Sequence, residues 1–385
     1  MSGQIPKLIA ILLSGILISI TLTGFFKDTP KSTEGISAQP DVQIDFESKL
    51  PDWNEGEYHD YQETKELLDY FNQRYPDLVD VFSIGDSVLG NDIWCIRITN
   101  EKSSEVKSSC LIDGCIHGDE WESADACLYL SEYLLINYGY NQTISDILNS
   151  SKIYIIPILN PDGRISNTRW NENGVDLNRN FDIYFGKLRS RNLRIGKLFG
   201  IIKIPYVRFF SRDPSKYFWN CGRIAFSEPE TRALRKFMNE LDNYGDFSFY
   251  INCHTALHTV IAPWLTYKPP FEMSLKETNL FEYTIDWINT NTEYEGIKGE
   301  NGNYGGLAMD WCFKNYRVPS FLFNMLSLDY DPWLGEGKHD NLVHWMKTTI
   351  PVFMYFLMNI NNFRQWETPV IKPLLPEEIS TIHFI

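Results

Sequence analysis

Two side chains that can bind a metal stand three positions apart just after an apolar run. The run begins at Cys110, and His117 and Glu120 follow a small-residue turn. An apolar run bounded by Gly is typical of a buried strand. Side chains at i and i+3, placed where such a strand ends, can converge on one metal ion. The spacing predicts half of a metal site, although a structural role for His117 explains that residue alone equally well.

A third metal-capable residue, His254, follows a second apolar run at 247–253. Together with His117 and Glu120 it would form a His₂Glu set that leaves a fourth position for water. This open set is the arrangement of catalytic zinc sites. His258 stands close by in the sequence and is a competing candidate for the third ligand.

The polar segment 169–180 carries Arg169, Asn178 and Arg179. A guanidinium group binds a carboxylate through two parallel hydrogen bonds, so two Arg near one metal predict an anionic group on the substrate. The alternative is a solvated loop with surface ion pairs, and composition alone favours that alternative.

The elements that position these residues are read from periodicity and turn signals. Strands are predicted at 153–159, 247–253 and 320–323, and 79–99 reads as a strand, a turn and a strand. Helices are predicted at 63–75, 123–136, 228–241, 274–291 and 338–360, and Ser227 with Glu230 predicts a capping box for the third of these. Strands that alternate with helices indicate a single α/β domain with a mixed, mostly parallel central sheet. Ligands bind beyond the carboxyl ends of the strands in such sheets, and the polar clusters follow such ends.

The chain divides into four predicted parts. Leu8 to Phe26 is a run of nineteen residues without a charge, at the boundary between a signal peptide and a membrane-spanning helix. We therefore expect an N-terminal anchor or signal at 1–27, with the rest facing outside the cytoplasm or secreted. A linker is predicted at 28–56, the globular domain at 57–362 with a basic insertion at about 183–222, and a tail at 363–385.

Composition limits the classes of function. The 385 residues are 43% hydrophobic and 15% aromatic, enough for a large core, and the net charge of −15 argues against nucleic acid as a partner. The seven cysteines include no CxxC pair, which argues against a structural zinc ribbon. We expect them mainly as buried small hydrophobic residues, with a disulfide left open, and we expect a monomer.

Five sequence strings occur in an informative order. They are His117-Gly-Asp-Glu120, Asn160-Pro-Asp-Gly163, Gly174-Val-Asp-Leu-Asn-Arg-Asn-Phe181, Phe226-Ser-Glu-Pro-Glu-Thr231 and Asn252-Cys-His-Thr255. Together they resemble the zinc carboxypeptidase family, the carboxypeptidase A-like metallopeptidases, from about residue 58 to about residue 361. The resemblance implies an α/β/α fold with a mixed central sheet and one zinc ion per chain. It also implies removal of the C-terminal residue from a peptide or protein.

The resemblance implies a role for each matching residue. The zinc ligands would be His117, Glu120 and His254, and Arg169 would polarise the scissile carbonyl and stabilise its oxyanion. The substrate-binding residues would be Asn178 and Arg179 on the terminal carboxylate, Tyr304 over the bound substrate, and Met309 in the specificity pocket. An apolar Met309 suggests a hydrophobic or neutral C-terminal side chain, although ordinary helix packing explains it equally well.

One departure from the family affects catalysis. The family's general base is a Glu at the end of a late strand, and Asn324 stands at that position. A carboxylate can take a proton from the attacking water and pass it to the leaving amine, whereas an amide can do neither. General acid–base catalysis contributes about 10²–10⁴-fold to rate. The chain is therefore either a metallocarboxypeptidase, with another carboxylate such as Asp329 substituting, or a catalytically impaired protein that binds zinc and peptide C-termini. A non-peptide amide substrate also stays open.

The segment 187–216 contrasts in charge with the acidic chain. It holds nine Lys or Arg and one acidic residue, Asp213, interleaved with apolar residues. We expect it to contact an anionic membrane beside the N-terminal segment. A solvated insertion that packs on the acidic body is the alternative.

Overall fold

The computed structural model describes residues 58–187, 220–255, 257–266, 268–299, 305–325 and 342–367. The strands of these ranges form one sheet in the order β1-β2-β4-β3-β5-β8-β6-β7. Their bounds are β1 Val79–Asp86, β2 Asp92–Ile98, β3 Ser108–Asp113, β4 Ser151–Ile156, β5 Phe247–Thr255, β6 Thr259–Ala262, β7 Glu295–Lys298 and β8 Ser320–Met325. The central strands β4, β3, β5 and β8 run parallel, while β1–β2, β2–β4 and β6–β8 pair antiparallel. The predicted α/β domain with a mixed sheet is confirmed.

Nine helices of the described ranges accompany the sheet. They are α1 Tyr61–Arg74, α2 Trp121–Asn137, α3 Gln142–Ser150, α4 Pro161–Ile165, α5 Pro229–Tyr244, α6 Leu275–Asn291, α7 Ala308–Tyr316, α8 Leu342–Met358 and α9 Ile360–Gln365. The first begins with a capping box in which Asp60 accepts from Glu63 N–H. The helices predicted at 63–75, 123–136, 228–241, 274–291 and 338–360 correspond to α1, α2, α5, α6 and α8.

The central strands are buried on both faces. Every residue of β3, β5 and β8 is buried, which explains why their sequences read as continuous apolar runs rather than alternating ones. Phe249 of β5 and Phe321 of β8 each pack against Phe356 and Phe363. Because Phe363 is fully buried, α9 extends the domain beyond the predicted boundary at residue 362.

Two local expectations differ from the structure. Strand β4 ends at Ile156 rather than at 159, because Pro157 has no N–H to donate to the sheet. The predicted capping box of Ser227 and Glu230 is wrong. Helix α5 begins at Pro229 after Glu228, which makes no side-chain cap, and the Ser227 hydroxyl donates to Glu228 Oε1 instead.

All seven cysteines lie in the described part of the chain, where they are buried and no disulfide joins them. No helix within the described ranges is both long enough and apolar enough to span a membrane. The predicted anchor and linker, residues 188–216 of the basic segment, and the tail after residue 367 fall outside the described residues.

Candidate metal centre

The carboxyl ends of three neighbouring parallel strands carry the predicted site residues. The loop after β3 bears His117 and leads to Glu120, which directly precedes α2. His254 lies near the end of β5, and the register pairs it with Asn324 of β8. The Ser123 hydroxyl secures the loop, since it donates to the Glu120 carbonyl and accepts from Cys115 N–H. Because the carboxyl ends of these parallel strands lie at one edge of the sheet, residues from distant parts of the chain lie close together there.

His117, Glu120 and His254 form a compact group of possible ligands. Their ligand atoms all lie within 4.8 Å of one another. Glu120 lies between the two rings, with Oε1 2.7 Å from His117 Nδ1 and Oε2 2.8 Å from His254 Nδ1. A zinc ion binds His nitrogen and carboxylate oxygen at about 2.0–2.2 Å, so one ion can be shared by this set. The residues present therefore fit the zinc that the sequence predicts.

The far nitrogen of each imidazole has an oxygen partner. His117 Nε2 lies 3.0 Å from Asp176 Oδ1, and His254 Nε2 lies 2.8 Å from Asn252 Oδ1. Donation from Nε2–H to these oxygens leaves the Nδ1 lone pair of each ring facing the group. Partners of this kind orient metal-binding His residues and select their tautomer.

The charges of the group are balanced within the protein. Burial favours the neutral form of Glu120, but His117 and His254 together hold its pKa below the ordinary value. Burial likewise opposes ionisation of Asp176, while Arg169, Arg179 and His117 hold its pKa well below the usual range. Burial lowers the pKa of His254 and so favours the neutral imidazole that a metal requires.

Arg169 lies against the ligand group and is oriented by Asp176. Its Nη2 and Nε donate to Asp176 Oδ2 at 3.0 and 3.2 Å. Its Nη1 lies 3.2 Å from His117 Nδ1 and 3.4 Å from Glu120 Oε1. The guanidinium is therefore held at the edge of the centre, where it can face the oxygen of a bound substrate.

Asn178 and Arg179, the predicted carboxylate clamp, lie on a short 3-10 turn beside the centre. Asn178 is 2% exposed, and its amide is engaged within the protein. Its Nδ2 lies 2.9 Å from His254 Nε2, and its Oδ1 accepts from Ala308 N–H. Arg179 Nη1 donates to the Asn178 carbonyl at 2.6 Å. Their contact with substrate stays a prediction.

The remaining predicted site residues are distributed differently. Asn324 Nδ2 donates to Thr259 Oγ1 at 2.9 Å, which fixes its amide on the strand beside His254. Met309 is fully buried in an apolar cluster with Ile261 and Leu322, and its pocket role stays a prediction. Tyr304 and Asp329 fall outside the described residues.

His258, the competing ligand candidate, is not part of the group of three. Its ring packs against Tyr294, with the ring centroids 4.1 Å apart. Its contact with an aromatic ring accounts for its position without a metal.

The sequence patterns assigned no role to several residues of the site. Asp176 and Asn252 stand inside the quoted strings, and Asp113 ends strand β3. One signal was available, since Asn252 and His254 are two positions apart and therefore share a face of β5. Glu122 was missed as well. Burial raises its pKa to about 7, and it accepts from Tyr58 OH and from Thr255, the neighbour of His254.

Comparison with known proteins agrees with the fold. The sequence model of the zinc carboxypeptidase family matches residues 64–330. The chain belongs to the zinc carboxypeptidase family, and the resemblance seen in the sequence is confirmed.

The chain is similar to several carboxypeptidases. It is 25% identical to carboxypeptidase B2 of Rattus norvegicus over 279 residues, covering 67% of this chain and 60% of that protein. It is 25% identical to mast cell carboxypeptidase A of Homo sapiens over 312 residues, covering 76% and 68%. The match spans about three fifths of the length of the first curated relatives.

Solved structures share the fold. One is thrombin activatable fibrinolysis inhibitor, with a TM-score of 0.62, 20% identity, and coverage of 82% of this chain and 77% of that chain. Another is carboxypeptidase A from Helicoverpa armigera, with a TM-score of 0.62, 19% identity, and coverage of 80% and 74%.

Proposed function

We propose that this chain is a zinc-dependent metallocarboxypeptidase that hydrolyses the C-terminal peptide bond of peptides or proteins. The observation that carries the proposal is the convergence of His117, Glu120 and His254 at the strand ends, with Arg169 beside them. When bound, zinc supplies a Lewis acid and lowers the pKa of a water molecule. Family membership adds to this support.

The chain's own residues have distinct roles in this proposal. Arg169, held by Asp176, donates to the scissile carbonyl oxygen as negative charge develops there. Asn178 and Arg179 bind the terminal carboxylate of the substrate and so select an exopeptidase position. The apolar surroundings of Met309 support a preference for an apolar or neutral C-terminal residue.

A second candidate function is a catalytically impaired protein that binds zinc and peptide C-termini. Asn324 favours it, because its amide lies beside His254 at the position of the family's general base and donates to Thr259. An amide cannot accept the proton that a carboxylate would take from water.

Release of the C-terminal residue from acylated dipeptides tests both candidates. We expect slow, chelator-sensitive release in the wild type, faster with C-terminal Phe or Leu than with Lys or Arg. Asn324→Glu is expected to raise kcat by about 10²–10⁴-fold, because it restores a general base. Asn324→Gln is the matched control, since it has the same length without a carboxylate.

The pattern of results separates the candidates. The binding protein is supported if the wild type binds labelled peptide without releasing its C-terminal residue and Asn324→Glu does release it. Silence in the wild type and both variants, without peptide binding, contradicts both candidates.

We also propose that the domain faces outside the cytoplasm, either tethered by residues 1–27 or secreted. The uncharged run in that segment supports this location. The basic segment 187–216 would contribute a second, electrostatic contact with anionic lipid. The proposed active form is a monomer.

A further inference from the structure

His254 is held from behind by a residue of its own strand. Asn252 lies two positions earlier on β5, so both side chains lie on one face of the strand. Asn252 is fully buried, and its Oδ1 lies 2.8 Å from His254 Nε2. Asn178 Nδ2 also approaches His254 Nε2, at 2.9 Å. Donation from Asn178 to Nε2 would place the ring hydrogen on Nδ1, but Asn178 Nδ2 has a second acceptor in Asn252 Oδ1 at 3.4 Å.

A buried carboxylate fixes the orientation of the Asn252 amide. Asp113 of β3 pairs with Asn252 in the parallel register. Asn252 Nδ2 donates to Asp113 Oδ1 at 2.5 Å, and Tyr250 OH donates to Asp113 Oδ2 at 2.5 Å. Burial raises the pKa of Asp113 to about 7, while the hydrogen bonds from Tyr250 and Asn252 act in the opposite direction. An ionised carboxylate only accepts hydrogen bonds, and in the neutral acid the oxygen without the proton still accepts. Asp113 Oδ1 therefore holds the nitrogen of Asn252 towards β3 and leaves the amide oxygen facing His254.

We infer that Asp113 and Asn252 are positioning residues that select the metal-binding tautomer of His254. The carboxylate orients the amide, the amide oxygen accepts Nε2–H, and the Nδ1 lone pair then faces the ligand group. Neither residue touches substrate or metal in this arrangement. The inference rests on the proposed zinc site, and specifically on His254 as a ligand.

Zinc affinity of the full chain tests the inference, measured by competition with a chromophoric chelator. Partners of this kind typically change metal affinity by about 10- to 100-fold. We expect a loss of that size in Asn252→Ala and about tenfold in Asp113→Asn. The matched control is Asn137→Ala, which removes a buried amide whose Nδ2 donates to the Tyr133 carbonyl of its own helix. Its zinc affinity is expected to equal that of the wild type.

The exchange of both residues separates positioning from general damage to the fold. In Asp113→Asn combined with Asn252→Asp, a carboxylate oxygen again accepts Nε2–H, and its other oxygen accepts from the new amide on β3. We expect the exchange to restore zinc affinity to within about threefold of wild type, a coupling that independent sites do not show. The visible spectrum of the cobalt-loaded exchange variant is expected to match that of the cobalt-loaded wild type.

The outcomes are distinct. Wild-type affinity in both single variants overturns the inference, and so does an exchange that binds no better than the weaker single variant. If Asn252→Ala does not fold, the nearly isosteric Asp113→Asn and the exchange decide. His254→Ala serves as the reference, because unchanged zinc binding in that variant overturns the proposed zinc site itself.

Discussion

Asp310 is a buried carboxylic acid whose partners are backbone groups. It is fully buried in α7, and Leu265 N–H donates to its Oδ1 at 3.3 Å. Burial raises its pKa to about 7, although the hydrogen bonds from Leu265 and Thr266 act in the opposite direction. The folded protein therefore favours the neutral acid at pH values where the unfolded chain has already lost the proton.

The stability of the domain is expected to depend on this proton. The contribution is fully present below the unfolded pKa of about 3.9, and it is lost as pH rises through about 7. One such proton changes the free energy of unfolding by about 1.4 kcal/mol per pH unit within that window. The side chain of Asp310→Asn is neutral at every pH. The free energy of unfolding of this variant should therefore decline less steeply than that of the wild type between pH 5 and 7, by up to about 1.4 kcal/mol per pH unit. Urea unfolding at several pH values measures the slopes.

The exposed acid Asp286 on α6 offers the control for this measurement. Asp286→Asn is expected to keep the wild-type slope. Equal slopes in wild type and Asp310→Asn would show that Asp310 is ionised in the folded protein, against the expectation.

At the scale of elements, the loop after β3 and helix α4 approach each other closely at Gly118 and Gly163. Gly118 lies in the loop after β3, and Gly163 lies in α4. A Cβ on Gly118 would lie 1.9 Å from the Gly163 carbonyl carbon and 2.3 Å from its oxygen. Backbone atoms cannot turn aside as the end of a side chain can. The close approach explains why the His-Gly-Asp-Glu string needs Gly, whereas a Cβ on Gly163 would instead lie 2.3 Å from Asn160 Nδ2 and 2.7 Å from the Trp170 carbonyl oxygen.

Gly118→Ala is expected to destabilise the domain by about 4 kcal/mol or more, the range of severe steric changes in a core. It should also weaken zinc binding, because the clash displaces the loop between His117 and Glu120. Gly139→Ala is the comparison, since its φ is +84° but nothing lies within 4 Å of the added Cβ. The backbone conformation alone should cost about 1–2 kcal/mol there. Urea unfolding of Gly118→Ala within 1 kcal/mol of wild type would disprove the steric account.

The elements that sequence patterns predicted are those with strong local signals. Strands β3, β5 and β8 are buried on both faces, so each is a continuous apolar run that ends at a polar residue. The short strands β6 and β7 were missed. Each has four residues, and β7 at the sheet edge is half-exposed and contains Gly296, so neither length nor periodicity marks it.

The site was predictable to the same degree and for the same reason. His117 and Glu120 follow the end of β3 and His254 lies at the end of β5, next to apolar runs that a single sequence reveals. The contacts that join Asp113, Asn252 and His254 depend on the register between β3 and β5, which no local sequence pattern encodes. The engaged amide of Asn178 likewise depends on where α7 begins, because Ala308 supplies its donor.

At the scale of the whole molecule, the chain that follows the basic segment 187–216 is bonded to a residue of the candidate centre. The carbonyl of Lys187, the first residue of the segment, accepts from Gly305 N–H at 3.0 Å. The carbonyl of Asn220, shortly after the segment ends, accepts from Asp176 N–H at 2.8 Å, and Asp176 is the partner of His117. The segment proposed to contact the membrane is therefore followed in the chain by a residue that is bonded to the partner of His117.

Flotation with vesicles tests the membrane contact, using the chain from residue 28 onward so that the predicted anchor does not contribute. Each Lys or Arg near an anionic surface contributes about 1 kcal/mol to binding. We therefore expect flotation with phosphatidylserine-containing vesicles, none with neutral vesicles, and a decline with added salt. Replacing four basic residues of the segment with Gln should lower partitioning by at least about tenfold. These are Arg189, Arg191, Arg194 and Lys197.

The control makes the same change of charge on exposed lysines elsewhere: Lys102, Lys236, Lys276 and Lys298. If the segment makes the contact, this variant floats almost as the wild type does, because its charges lie away from the lipid. Should both variants lose partitioning equally, net charge alone would account for binding. Equal flotation of all three proteins would instead exclude any contribution from the segment, and the basic residues would then be explained by packing against the acidic body of the chain.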